Sequence, residues 1–219
     1  MDEFYEAPAR LSASREVAAS KFHIEKFLSS VNKDVLDEVI GEMFKKSELP
    51  PSQESVPLAV DYRPGRKASG WHKEGVININ SAKFDFNDNL RKNFRRLLST
   101  YVHEYVHASA AGPAEEETGF KYLSPEGRIM HPPINDGFTE IIADYVYEEY
   151  ARRTGETARL GQKTPKRTIR GYIEERADAK ALIEKIAEDA GVPFDVVLGA
   201  YIRAYFSRDI ASFEESLTT

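Results

Sequence analysis

The sequence predicts an α+β fold: a small antiparallel sheet, then a long helix, then a mostly helical C-terminal half. Three observations carry this. Two short segments of alternating apolar and polar residues lie close together, at 58–63 and 75–84. A strong apolar stripe at helical spacing begins at Leu90. From about residue 135 onward the apolar residues recur at helical spacing again, broken by polar linkers.

The 219 residues suffice for one sizeable domain, or one with a small appendage. Apolar residues are 41% and charged residues 30%, a mix that can bury a core. The chain divides into an N-terminal tail with helices (1–50), a core of sheet and two helices (51–154), and a C-terminal helical part (155–219).

In order, residues 1–13 read as a loose tail. Residues 14–44 are helical, with one stripe of Val17, Phe22, Ile24, Phe27 and Leu28 and another of Val35, Val39, Ile40 and Met43. The polar, Pro-rich stretch 48–57 is a break. Segment 58–63 is a strand, residues 64–70 are turn material, and 75–84 is a second strand with Ile77 and Ile79 on one face. Their proximity suggests a hairpin. Asn87 or Asp88 can cap the following helix. Its stripe runs through Leu90, Phe94, Leu97, Leu98, Tyr101, Val102, Tyr105 and Val106 and ends near Ala110. A long connection spans 112–134. The next helix covers about 135–152, with Phe138, Ile141, Ile142, Tyr145 and Val146 marking its buried face. After a polar linker at 154–167, helices are expected at about 168–189, 193–207 and 209–217, the last capped by Asp209.

Composition also excludes chemistries. There is no cysteine, hence no disulfide, thiolate ligand, iron–sulfur cluster or cysteine nucleophile. A metal must be held by His, Asp or Glu. The net charge of −6 and pI near 5.5 argue against a nucleic-acid partner, which needs a basic face. The cluster Lys163, Lys166, Arg167 and Arg170 reads as a solvated linker. No apolar run reaches transmembrane length, so no membrane partner is expected. The acidic N-terminus lacks the apolar core of a secretory signal. The chain therefore reads as cytoplasmic, or as exported without a classical signal peptide.

The chemistry lies in His103-Glu104-Tyr105-Val106-His107. On a helix, residues four apart share a face, so two imidazoles at that spacing can bind one tetrahedral zinc. Glu104, beside the first ligand, can reach a water at the metal. A catalytic zinc needs a third protein ligand and one open position. A carboxylate is the natural candidate, and Asp136, Glu140 and Asp144 recur at four-residue spacing on the next helix. An ordinary solvated acidic face has the same pattern.

The HExxH helix followed by a carboxylate-bearing helix resembles the gluzincin, or thermolysin-like, branch of zinc metallopeptidases over about residues 58–150. That resemblance implies a zincin-like fold and hydrolysis of a protein or peptide substrate. It implies a Glu on the second helix as third ligand, with an acid one turn later bonded to a ligand histidine. Two registers fit. Glu140 as ligand with Asp144 behind it keeps a Glu in place and is preferred. Asn135-Asp136-Gly137 matches an alternative slot, with the shorter Asp136 as ligand and Glu140 behind. The resemblance also implies that strand 75–84 pairs with the substrate backbone at a sheet edge.

In the expected mechanism zinc lowers the pKa of water to about 7, and Glu104 takes its proton and passes it to the leaving amine. The oxyanion needs a further donor. His131 is the preferred candidate, ahead of Tyr122 and Tyr172. His23 reads as structural and His72 as a surface or turn residue. Tyr201, Tyr205 and Phe206 recur at helical spacing and read as core. The rival to an enzyme is a catalytically inactive zinc-binding module on the same fold. A helical interaction protein with an accidental motif is the third reading.

Overall fold

The computed structural model describes residues 17–46, 56–73, 75–86, 89–110, 122–123, 129–130, 134–163 and 172–207. The expected tail, helix 209–217 with its Asp209 cap, most of the Pro-rich break and nearly all of the 112–134 connection lie outside these residues. In chain order the helices are α1 (17–29), α2 (Lys33–Lys46), α3 (Leu90–Ser109), α4 (Ile134–Thr154), α5 (Glu156–Arg159), α6 (Ile173–Ala190) and α7 (Phe194–Ser207). The strands are β1 (Leu58–Asp61), β2 (Gly70–Lys73), β3 (Val76–Asn80), β4 (Tyr122–Leu123) and β5 (Ile129–Met130). The fold is α+β and mostly helical.

The main sheet is mixed, not antiparallel. Its order is β1-β3-β2, with β1 parallel to β3 and β2 antiparallel to it. The expected pair 58–63 and 75–84 does sit side by side, but in the same direction. The reason is a strand hidden in what reads as turn material and its sequel, Gly70–Lys73. It is short and contains Gly and His, so its propensity is weak. The connection before it carries the chain across the sheet. Buried Asn80 holds that connection: its side chain accepts from the Arg63 N–H (3.0 Å) and donates to the Arg63 and Ala68 carbonyls (2.9 and 3.1 Å). Arg96 of α3 then donates to Ser69 Oγ (2.8 Å) and to the Lys83 carbonyl (2.8 Å). These bonds press β2 against α3.

The cap of α3 is Asn89 rather than Asn87 or Asp88: its side chain accepts from the Lys92 N–H at 2.9 Å. From Leu97 to Val106 α3 is buried almost all round, because the sheet and α4 pack against it and Tyr105 reaches Asp37 of α2. Leu90, counted in the expected stripe, is exposed, as are Phe22 of α1 and Tyr145 of α4. The helical segment 14–44 is in fact two helices, separated at residues 30–32.

Helix α4 has no single buried face. It packs on α2, α3 and α6, so Asn135, Phe138, Thr139, Glu140, Ile142, Ala143, Val146, Tyr147, Tyr150 and Ala151 are all buried. Gly137 permits a close crossing with α6. A Cβ there would lie 2.1 Å from the Glu175 carbonyl oxygen of α6. Helix α6 starts at Ile173, after Tyr172 in a left-handed conformation (φ 56°), not near 168. The expected linker 154–167 contains the single turn α5. Two aromatic contacts dock α7. Tyr201 stacks on Phe138 of α4 (3.9 Å between centroids), and Phe206 meets Phe44 of α2 edge-on (4.6 Å). Such pairs add about 0.5–1.5 kcal/mol each beyond area burial.

No helix among the described residues is long and apolar enough to cross a membrane.

Candidate metal centre

One face of α3 and the first two turns of α4 meet at His103, His107 and Asp136. One ligand atom from each lies within 4.8 Å of the others. The two imidazole Nε2 atoms face each other at 3.1 Å, and Asp136 Oδ1 is 3.6 Å from His107 Nε2. Two nitrogens bound at about 2.0–2.1 Å to one tetrahedral ion stand about 3.3 Å apart. The side chains of His103 and His107 are 8% and 12% exposed, and that of Asp136 is 18%. This buried group could hold a metal ion. A nitrogen, nitrogen, oxygen donor set suits a borderline divalent ion.

The other ring nitrogens have partners too. His103 Nδ1 lies 2.9 Å from Glu140 Oε1, and both groups are buried. His107 Nδ1 lies 3.3 Å from the Tyr205 hydroxyl. The Tyr172 ring stacks on the His103 ring, 5.5 Å between centroids and 4° from parallel. Each imidazole is thus held from its outer side, the usual way proteins orient metal-binding histidines.

Of the two expected registers, the geometry brings Asp136 rather than Glu140 to the converging Nε2 atoms. Glu140 sits one turn further along α4 and meets His103 at Nδ1, on the other side of the ring. Asp144 is a further turn away and pairs with Arg176 of α6 at 2.6 Å. His131 lies outside the described residues, as does the Tyr122 side chain.

Glu104 is 7% exposed and borders the same site. Gly70 of β2 makes room for it: a Cβ there would stand 2.9 Å from Glu104 Cγ and 3.1 Å from Oε1. Burial pushes the Glu104 carboxyl up to about 8, and the Asp136 charge adds to this. The Arg66 guanidinium and the His72 backbone N–H, which donates to the carboxylate, oppose the rise. A cation at the neighbouring group would favour the ionised form further. Burial, then the charges of Asp136 and Glu104, raise the Tyr172 hydroxyl to about 12, so it remains a donor.

His72 is therefore a strand residue beside Glu104, not a turn residue. Arg66, whose guanidinium lies 4.2 Å over the Trp71 ring, marks the rim next to it. Sequence reasoning missed Gly70, Arg66 and Tyr205 as parts of this site. The helical spacing of Tyr201 and Tyr205 signals packing, and both do pack. Nothing local in the sequence ties Tyr205 to His107, 98 residues earlier.

Comparison with protein-family models, with curated proteins and with solved structures finds no match for this chain.

Proposed function

We propose that the chain is a zinc-dependent metallopeptidase of the gluzincin type, hydrolysing peptide bonds in a protein or peptide. The observation that carries this reading is the convergence of His103 Nε2, His107 Nε2 and Asp136 on one point beside the buried Glu104. Two imidazoles and one carboxylate leave an open position on a four-coordinate ion.

A zinc ion held by His103, His107 and Asp136 would supply a Lewis acid and an acidified water. Glu104 would serve as the proton acceptor during attack and as the donor to the leaving amine nitrogen. Burial holds the Glu104 carboxyl up at about 8 against the opposing pull of Arg66 and the His72 N–H; a cation at the neighbouring group would favour the ionised form that this requires. Glu140 and Tyr205 hold the two imidazoles, and Tyr172 stacks over His103 as a wall of the site.

The substrate-pairing strand of this reading is β2. The strand expected to pair, 75–84, contains β3, which lies at the centre of the sheet with β1 and β2 on its two sides. An edge strand beside Glu104 offers main-chain groups to an extended peptide.

Elemental analysis of the purified protein, with Glu104→Gln assayed beside it, tests this reading. One zinc per chain is expected in both forms. Peptidase activity should fall by about 100- to 10,000-fold in Glu104→Gln, the usual worth of a general base. Full activity in that variant sinks the mechanism. Iron in place of zinc overturns the hydrolytic reading, because the same donor set serves oxygenase chemistry. Zinc without turnover in the wild type leaves a metal-binding module. The short Asp136, where a Glu is the rule in the resembling family, is the feature that favours that second reading.

A further inference from the structure

One arrangement of protons makes all three hydrogen bonds behind His107. Thr139 Oγ1 lies 2.9 Å from the Asn135 carbonyl, which can only accept, so Thr139 spends its one proton there. Thr139 Oγ1 must then accept from the Tyr205 hydroxyl, 2.7 Å away. The Tyr205 proton being committed to Thr139, its oxygen faces His107 Nδ1 at 3.3 Å as an acceptor. His107 Nδ1 therefore carries the ring proton. Its Nε2 keeps the lone pair, directed toward His103 Nε2 and Asp136.

We propose that Tyr205 is a positioning residue for the metal centre: locked by Thr139, it holds His107 in the metal-binding tautomer, so α7 must be docked for the site to be complete. This rests on the metallopeptidase reading for the identity of the ion. The residue does not touch substrate and acts only through His107. His103 is held differently, by the Glu140 carboxylate from α4 itself. The two ligands of one helix thus depend on two different parts of the chain. His107 depends on a helix that the Tyr201–Phe138 and Phe206–Phe44 contacts hold in place. Zinc binding and docking of α7 stabilise one another in consequence.

The test uses the full chain with ring-15N-labelled histidine. Zinc affinity is measured by competition with a chromophoric chelator, and the zinc-loaded protein gives its ring N–H resonances. Tyr205→Phe should weaken zinc binding by about 10- to 100-fold, the usual cost of losing a partner behind a ligand. The His107 Nδ1–H resonance should be lost to exchange with water, while that of His103 stays. Thr139→Val is the second variant, close in shape to the native residue. It frees the Tyr205 proton to turn toward His107 Nδ1, which favours the wrong tautomer, and affinity should fall by about 10-fold. Thr139→Ser keeps the oxygen and should restore both readouts. Wild-type affinity and an intact His107 resonance in Tyr205→Phe overturn this proposal and leave the metallopeptidase reading standing. A wild type that binds no divalent ion overturns both.

Discussion

Along α3 the site needs five consecutive residues, His103 to His107; across from them it needs parts of β2, α4, α6 and α7, spread from Gly70 to Tyr205. The first wall is local. Its two imidazoles share a face because of the pitch of one helix, and any buried helix with this sequence would place them so. The second wall is assembled. Asp136 and Glu140 reach the imidazoles because α4 packs on α3, and Gly137 lets α6 cross α4 with backbone in contact. Glu104 has room only because Gly70 lies against it. A local wall fails when a ligand is lost, and an assembled wall fails when packing shifts. The two can be separated by substitution.

The largest effect belongs to the local wall. On the proposed zinc reading, His103→Ala removes one of three protein ligands, on the order of a third of the roughly 10–16 kcal/mol that protein zinc sites supply. Zinc affinity should drop by about a thousandfold or more in chelator competition, while the metal-free protein keeps its fold. Wild-type affinity in this variant would mean that the ion, if any, binds elsewhere.

Gly137→Ala comes next and strikes the assembled wall. The new Cβ meets a backbone carbonyl at 2.1 Å, which cannot turn aside. Stability should fall by about 3 kcal/mol, the upper range for overpacking, as read by urea denaturation. The Tyr172 ring, at the start of the displaced α6, should leave His103. An unchanged midpoint would show that α6 does not cross α4 there.

Glu140→Gln keeps shape and burial but exchanges the carboxylate opposite His103 Nδ1 for an amide. A loss of about 10- to 100-fold in zinc affinity is expected, with the ion still bound. Complete loss of the ion would return Glu140 to the role of direct ligand and Asp136 to the background.

Gly70→Ala has the smallest effect on stability, about 1 kcal/mol. The Cβ there meets side-chain atoms, Thr100 Cγ2 at 2.8 Å and Glu104 Cγ at 2.9 Å, rather than backbone. On the peptidase reading Glu104 must shift, and activity should fall by about 10-fold or more with zinc still bound. Undiminished activity would show that the contact between β2 and Glu104 has no part in positioning the base.

The contrast between the walls is also the contrast between what could and could not be read from the residues. The helices α3 and α4 were legible, as was the shared face of Ile77 and Ile79, because periodicity repeats over several turns or pairs. Strand β2 was not, because four residues containing Gly and Lys carry too little pattern. The exposure of Phe22, Leu90 and Tyr145 was not, because an apolar residue at the edge of a stripe is buried only if a neighbour covers it. The order of Asp136, Glu140 and Asp144 around the site was not legible either. Three acids on one helix face are equivalent until the crossing of α3 and α4 decides which is nearest.

By itself, then, the sequence determined the α+β class, the two long helices, the absence of thiolate chemistry and the pairing of His103 with His107 across one turn. These follow from short-range geometry and from which side chains are present. Tertiary structure alone decided the mixed strand order, the convergence of Asp136 with both imidazoles, the placing of Glu140 behind His103 and the reach of Tyr205 to His107. Such contacts join residues tens of positions apart. They depend on how closely two helices approach, and that distance is set by the volumes of side chains all along the interface rather than by any local pattern.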